Sequence, residues 1–201
     1  MKRLGLLLFS MLAIALKLGI ASGTALAQSV GDNSVSFTTY YSNNVAGIPD
    51  ETVRIINDGD TGASLWASFY VFDDSQELSE CCSCEITPDG VLSESVRYDL
   101  TSNPLTGRLN TRGAIKVIAS SVGDATHNTP TAGLRGWATH IQSVANQNPY
   151  GPRAYSQTET TLVDTNLAVP EQDMLQLLCY YEHLLGGKYG TCFCRPEDYD
   201  F

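Results

Sequence analysis

The sequence predicts a mostly β chain: an antiparallel β-sandwich with a C-terminal α-helix stapled to it by disulfides. Three observations lead there. Short segments of alternating polar and apolar residues recur between turn clusters from residue 34 to residue 164. One stretch near the end, residues 169–187, changes to helical spacing. All six cysteines fall into two groups, Cys81, Cys82 and Cys84 in the middle and Cys179, Cys192 and Cys194 at the end.

The chain opens with a leader. Lys2 and Arg3 precede an apolar run broken only by Lys17, and Ala25-Leu26-Ala27 fits the small-x-small cleavage rule. A secretory signal peptide over residues 1–27 is the expectation, leaving residues 28–201 as one secreted domain with a sizeable core. A retained membrane anchor would need about 20 predominantly apolar residues, and Lys17 interrupts the run. Removing Lys2, Arg3 and Lys17 takes the formal charge from −10 to about −13. Such a chain repels phosphate backbones and anionic lipid heads, so neither nucleic acid nor membrane is an expected partner after cleavage.

The strands follow in order. In "SVSFTTY" (34–40), Val35, Phe37 and Thr39 alternate with Ser34, Ser36 and Thr38, the pattern of a half-buried strand. "TVRIIN" (52–57) is closed by the turn residues "DGDTG". "SLWASFYVFD" (64–73) carries bulk on both faces, Leu65, Ala67, Phe69 and Val71 against Trp66, Ser68, Tyr70 and Phe72, so a central strand is expected. "LSESVRYDL" (92–100) follows the turn "TPDG", and "TSNPLTG" (101–107) reads as a loop. "GAIKVIAS" (113–120), "LRGWATHIQSV" (134–144) and "YSQTETTLVD" (155–164) are the remaining strands, with Pro/Gly-rich or polar loops between them. Seven or so strands of this kind suit an antiparallel sandwich.

The helix begins near Pro170, has Glu171 and Asp173 in its first turn and stops at Gly186-Gly187. Met174, Leu177, Leu178, Tyr181, Leu184 and Leu185 recur at helical spacing, so that stripe is expected to lie on the sandwich, with "KYGTCFCRP" doubling back behind it.

An even number of cysteines in an exported chain favours disulfides, and the matching groups suggest that the central three bond to the C-terminal three. Sequence does not choose among the pairings. A bridge closing a loop of about 100 residues contributes roughly 4–5 kcal/mol in the chain-entropy treatment. Three rivals stand beside this reading. One is a vicinal Cys81–Cys82 bridge. Another is a metal site, for which C-x-C is tighter than the usual zinc spacing but His183, four residues after Cys179, offers a mixed set. The third is a redox pair using the C-x-x-C of Cys81 and Cys84.

The segments "YVFDDSQELSECCSCEITPDG", "DLTSNPLTG", "RGWATHIQ" and "LCYYEHLLGGKYGTCFC" span most of the chain after the leader. Together they resemble a group of exported, cysteine-containing proteins of acidobacteria. The resemblance implies a secreted, cysteine-bonded domain and no particular chemistry.

Catalytic signals are sparse. There is no G-x-S-x-G, and His140 follows Thr139 in an expected strand, where the two side chains point to opposite faces. Sequence pairs His140 with no other nucleophile, His127 is the remaining candidate base, and His183 reads as a helix-face residue next to Cys179. Asp58 and Asp60 in "NDGDTG" echo the start of a calcium loop but lack the downstream bidentate Glu, so a plain Asp/Gly turn is the expectation. The acidic "FDDSQE" and "PEDYDF" are expected to be solvated. Ten tyrosines suit strand faces and also the stacking faces of a sugar site. The functional expectation is a non-catalytic secreted or cell-surface structural or interaction module without a cofactor. Its partner would be a second copy, another surface protein or a glycan. The alternative is a carbohydrate- or calcium-binding module.

Overall fold

A computed structural model of the chain describes residues 34–42, 44–101, 109–143, 154–186, 192 and 194. The expected leader, the loops at 102–108 and 144–153, and most of the segment after the helix, with its acidic end, lie outside the described residues. The strands are β1 (Ser36–Tyr41), β2 (Thr52–Asn57), β3 (Leu65–Asp73), β4 (Leu78–Ile86), β5 (Val91–Ser95), β6 (Gly113–Ser120), β7 (Leu134–Ser143), β8 (Tyr155–Thr161) and β9 (Val163–Asp164), and one helix, α1 (Val169–Gly186), ends the series. They form two antiparallel sheets, ordered β4-β3-β6-β1-β9 and β5-β2-β7-β8.

Alternation makes the sandwich. On β3, Leu65, Ala67, Phe69 and Val71 enter the core between the sheets, together with Phe37, Ile115 and Val117 from the same sheet and Val53, Ile55, Leu92, Leu134 and Ala138 from the other. Tyr70 of β3 and Ile118 of β6 face the opposite way, into a second core with Cys81, Ala125, Leu175 and Cys179 beneath α1. The central place expected for the 64–73 segment holds, since β3 is paired on both sides, with β4 and β6.

Three boundaries differ from expectation. The cysteine triplet lies in a strand, β4, which hairpins back from β3 through a turn at Asp73–Glu77. There the Asp73 carboxylate accepts N–H bonds from Ser75 (2.8 Å) and Glu77 (3.1 Å), so part of "FDDSQE" is a turn cap rather than freely solvated. The 92–100 segment stays extended only to Ser95, and Val96–Leu100 turns inward to bury Val96 and Leu100. Residues 155–164 are not one strand. Leu162 is buried and its N–H donates to the Gly136 carbonyl, so the chain leaves one sheet as β8 and joins the other as β9.

At Gly113, β6 crosses close to β3. A Cβ there would stand 1.9 Å from the Phe72 carbonyl oxygen and 2.8 Å from the Tyr41 hydroxyl, which itself donates to that carbonyl. Gly113→Ala is therefore expected to lower stability by about 3 kcal/mol through overpacking, seen as a reduced urea midpoint at unchanged m-value.

Candidate functional site

The site is built on β4. A strand turns successive side chains to opposite faces, so C-C-x-C sends Cys81 outward to α1 and Cys82 and Cys84 inward. Cys81 bonds to Cys179 on the helix, Cys82 to Cys192 and Cys84 to Cys194. Each central cysteine thus takes one of the C-terminal three, as their grouping suggested. The vicinal Cys81–Cys82 bridge and the Cys81–Cys84 redox pair do not form, because each would join opposite faces of the strand. Among the described residues β4 is an edge strand, paired with β3 alone, and it is gripped on both faces.

Histidine joins one of these bridges. His183 Nε2 lies 3.5 Å from Cys81 Sγ, 3.7 Å from Cys179 Sγ and 3.4 Å from the Cys81 carbonyl oxygen. Among the described residues, two groups have ligand atoms close enough together for a metal: Cys81, Cys179 and His183, and Cys82, Cys84 and Cys194. Every sulfur in both is in a disulfide and lacks the thiolate charge that a metal takes. Neither group includes Asp58 or Asp60. Asp58 Oδ2 is 3.6 Å from Arg135 Nε, its Oδ1 accepts the Asp60 N–H (3.1 Å), and Asp60 is exposed, which is the arrangement of an Asx turn.

Polar anchors set the other contacts of α1. Asn128 is buried and donates to the Tyr70 hydroxyl (2.5 Å), which donates in turn to the Ala125 carbonyl (2.6 Å). The side-chain amides of Gln172 and Gln176 donate to Asn128 Oδ1 (3.0 and 3.1 Å) and to its carbonyl (3.2 and 3.1 Å). Lys116 of β6 pairs with Glu171 in the first turn of the helix. Gln172, Leu175, Gln176, Cys179 and His183 share one face by helical spacing, and that face meets the sheet.

The expected packing face is therefore corrected. Of the predicted stripe, only Leu178 is partly covered; Met174, Leu177, Tyr181, Leu184 and Leu185 are exposed, and Tyr180 joins them. Leu185, at 74% exposed, and Leu184, at 61%, are among the most solvent-accessible apolar side chains of the chain. The reason is physical: the Cys81–Cys179 bond and the amide network to Asn128 decide which way the helix faces, and both lie opposite the stripe. Beside it, an open cleft of about 360 Å³ is lined by Thr126, His127, Asp173, Gln176, Leu177 and Tyr180. His127 Nδ1 is 2.7 Å from Thr126 Oγ1 and 3.4 Å from Asp124 Oδ2. Burial alone would raise the Asp124 carboxyl, but hydrogen bonds from Thr126 and the His127 pairing hold it below its usual range.

His140 is a packing residue. Its ring stacks on Tyr40 with centroids 4.1 Å apart, its Nε2 is 2.9 Å from Thr160 Oγ1, and burial lowers its pKa. Thr139 faces away and bonds to Thr52 (3.1 Å) and Arg54 (3.5 Å). Glu51 is buried where β1, β2 and β7 meet and accepts N–H bonds from Ile141 (2.8 Å) and Ser42 (3.2 Å). Burial outweighs those bonds and pushes its carboxyl up to about 7.

No family model and no curated protein matches this chain. Among solved structures it is similar to one titled "Crystal Structure of Thermotoga maritima 1070", with 15% identity and a TM-score of 0.41 over 69% of this chain and 98% of that one. No helix among the described residues is long and apolar enough to cross a membrane. Three disulfides belong to an oxidising environment.

Two outcomes follow. Replacing Cys81 and Cys179 together by Ser opens a closure spanning 98 positions. The chain-entropy treatment sets the expected loss at roughly 4–5 kcal/mol, checked by denaturant unfolding, with amide exchange in α1 accelerating most. For Glu51, the folded chain keeps a proton that the unfolded chain releases between pH 4.5 and about 7. Its stabilising contribution is thus complete below pH 4.5 and lost as pH rises through 7, by about 3 kcal/mol. Glu51→Gln is expected to remove that component, read as a pH-dependent difference between the two unfolding free energies.

Proposed function

We propose that this protein is a non-catalytic structural or interaction module, secreted or held at the cell surface, that meets a second copy of itself through the exposed face of α1. The observation that carries the reading is the stripe of Met174, Leu177, Tyr180, Tyr181, Leu184 and Leu185 in solvent, on a helix held at Cys179. The leader and the resemblance to exported acidobacterial proteins support the location, and the disulfides agree with it.

The stripe offers on the order of 500 Å² of apolar surface, so a pair would bury about 1,000 Å², the lower end of what specific interfaces use. Its composition is that of an interface core, with Met, Leu and an edge-packed Tyr180–Tyr181 pair whose centroids are 5.7 Å apart. A two-fold, antiparallel pairing of the helices suits it. That arrangement sets Met174 of one copy near Leu185 of the other and keeps the two Asp173 carboxylates at opposite ends. This matters because each copy is strongly acidic, and only a seam free of like charges lets two copies approach.

The test is sedimentation equilibrium of the purified chain, with Leu177→Glu/Leu184→Glu as the comparison. The native chain is expected to dimerise at tens of micromolar, and the variant to remain monomeric with unchanged melting. A native chain that stays monomeric to about 100 µM overturns self-association through α1.

A further inference from the structure

We infer that the two inward bridges of β4 form a thiol–disulfide exchange site, whose substrate is a small thiol or a thiol-bearing protein. Three facts meet there. Cys82 and Cys84 are two apart on the same face of the strand, and their Sγ atoms are 3.8 Å from each other although they belong to different disulfides. Of the four sulfur-bearing residues, Cys194 is exposed, while Cys82, Cys84 and Cys192 are at most 4% exposed. The third bridge stands apart on the other face, with Cys81 and Cys179 both fully buried.

Exposure fixes the point of entry and contact fixes the next step. An incoming thiolate attacks Cys194 Sγ; a bond forms between the substrate sulfur and Cys194, and the Cys84–Cys194 bond breaks, leaving Cys84 as thiolate. That thiolate is already against Cys82 Sγ. It attacks there, forming Cys82–Cys84 and breaking Cys82–Cys192, and Cys192 leaves and takes the proton the substrate thiol gave up. Sulfur oxidation states balance: two disulfides and one thiol become two disulfides and one thiol. The products are a mixed disulfide at Cys194, a Cys82–Cys84 bridge and a free Cys192 thiol.

The consequence is a coupling. One substrate thiol detaches both Cys192 and Cys194 from β4, whereas two independent bridges would each need their own. The new bridge spans neighbouring same-face positions of an extended strand, about 6.6–6.8 Å apart at Cα, near the upper limit that a disulfide covers. The step is therefore reversible, and loss of the substrate thiol lets Cys192 and Cys194 bond to β4 again. α1 keeps its own bond to Cys81 throughout.

The experiment uses the intact oxidised protein and glutathione at less than one equivalent, with acid quench, maleimide labelling and peptide mass mapping without reduction. Expected are glutathione on Cys194, label on Cys192 in roughly one-to-one proportion to it, an unlabelled Cys82–Cys84 peptide and an intact Cys81–Cys179 bridge. Label on Cys84 with Cys82–Cys192 retained overturns the relay, and first reaction at Cys81 or Cys179 overturns the point of entry. In a Cys82→Ser/Cys192→Ser variant the relay has no acceptor, so the label is expected to move to Cys84 while glutathione still enters at Cys194. Should that variant not fold, the map of the native chain decides alone.

Discussion

Everything on one side of this molecule depends on the grip that three disulfides hold on an edge strand. Among the described residues β4 has a strand partner on one side only, and an edge strand is the least secured of a sheet. C-C-x-C answers that weakness by geometry, because alternation distributes three adjacent bonds over two faces. The outward bond fixes α1 over the second core, and the inward two bring Cys192 and Cys194 to the edge from below. Removing the alternation, not merely a bond, would undo the arrangement.

The helix shows how a covalent constraint overrides hydrophobic pattern. Left to burial alone, α1 would turn its Leu-, Met- and Tyr-rich stripe to the sheet, since each buried large apolar side chain is worth about 1.5–3 kcal/mol. It buries Leu175 and Cys179 instead, flanked by two glutamines. Those amides are acceptable under the helix because both donate to Asn128, whose own side-chain N–H is taken by the Tyr70 hydroxyl, so little is lost by covering them. What is left uncovered is the surface on which the functional proposal rests.

Much of the fold was legible, and the failures have particular causes. Two-sided bulk on 64–73 marked β3 as an interior strand, and Pro170 with Gly186-Gly187 bracketed α1 to within a residue. β4 is weakly marked because Ser79, Glu80, Ser83 and Glu85 hide the period, and the inward alternation of Cys82, Cys84 and Ile86 is the signal it does carry. Nothing in "TTLVD" marks a change of sheet at Leu162, since either sheet accepts the same alternating pattern. The stripe on α1 could be found by spacing, but its direction could not, because that depends on which cysteine meets which. The amide network was equally out of reach: Asn128 and the glutamines that hold it are 44 and 48 residues apart in sequence.

The crossing at Leu162 has a wider consequence. β8 and β9 are separated by one residue and belong to different sheets, and on the other flank β4 passes into β5, again in the opposite sheet, through the turn that ends at Gly90. Each lateral margin of the sandwich is thus bridged by continuous backbone, so the two layers are hinged together at both sides like the covers of a book sewn along both edges. The shortest path between the two layers at either margin is therefore covalent chain, one residue long at Leu162 and one turn long at Gly90.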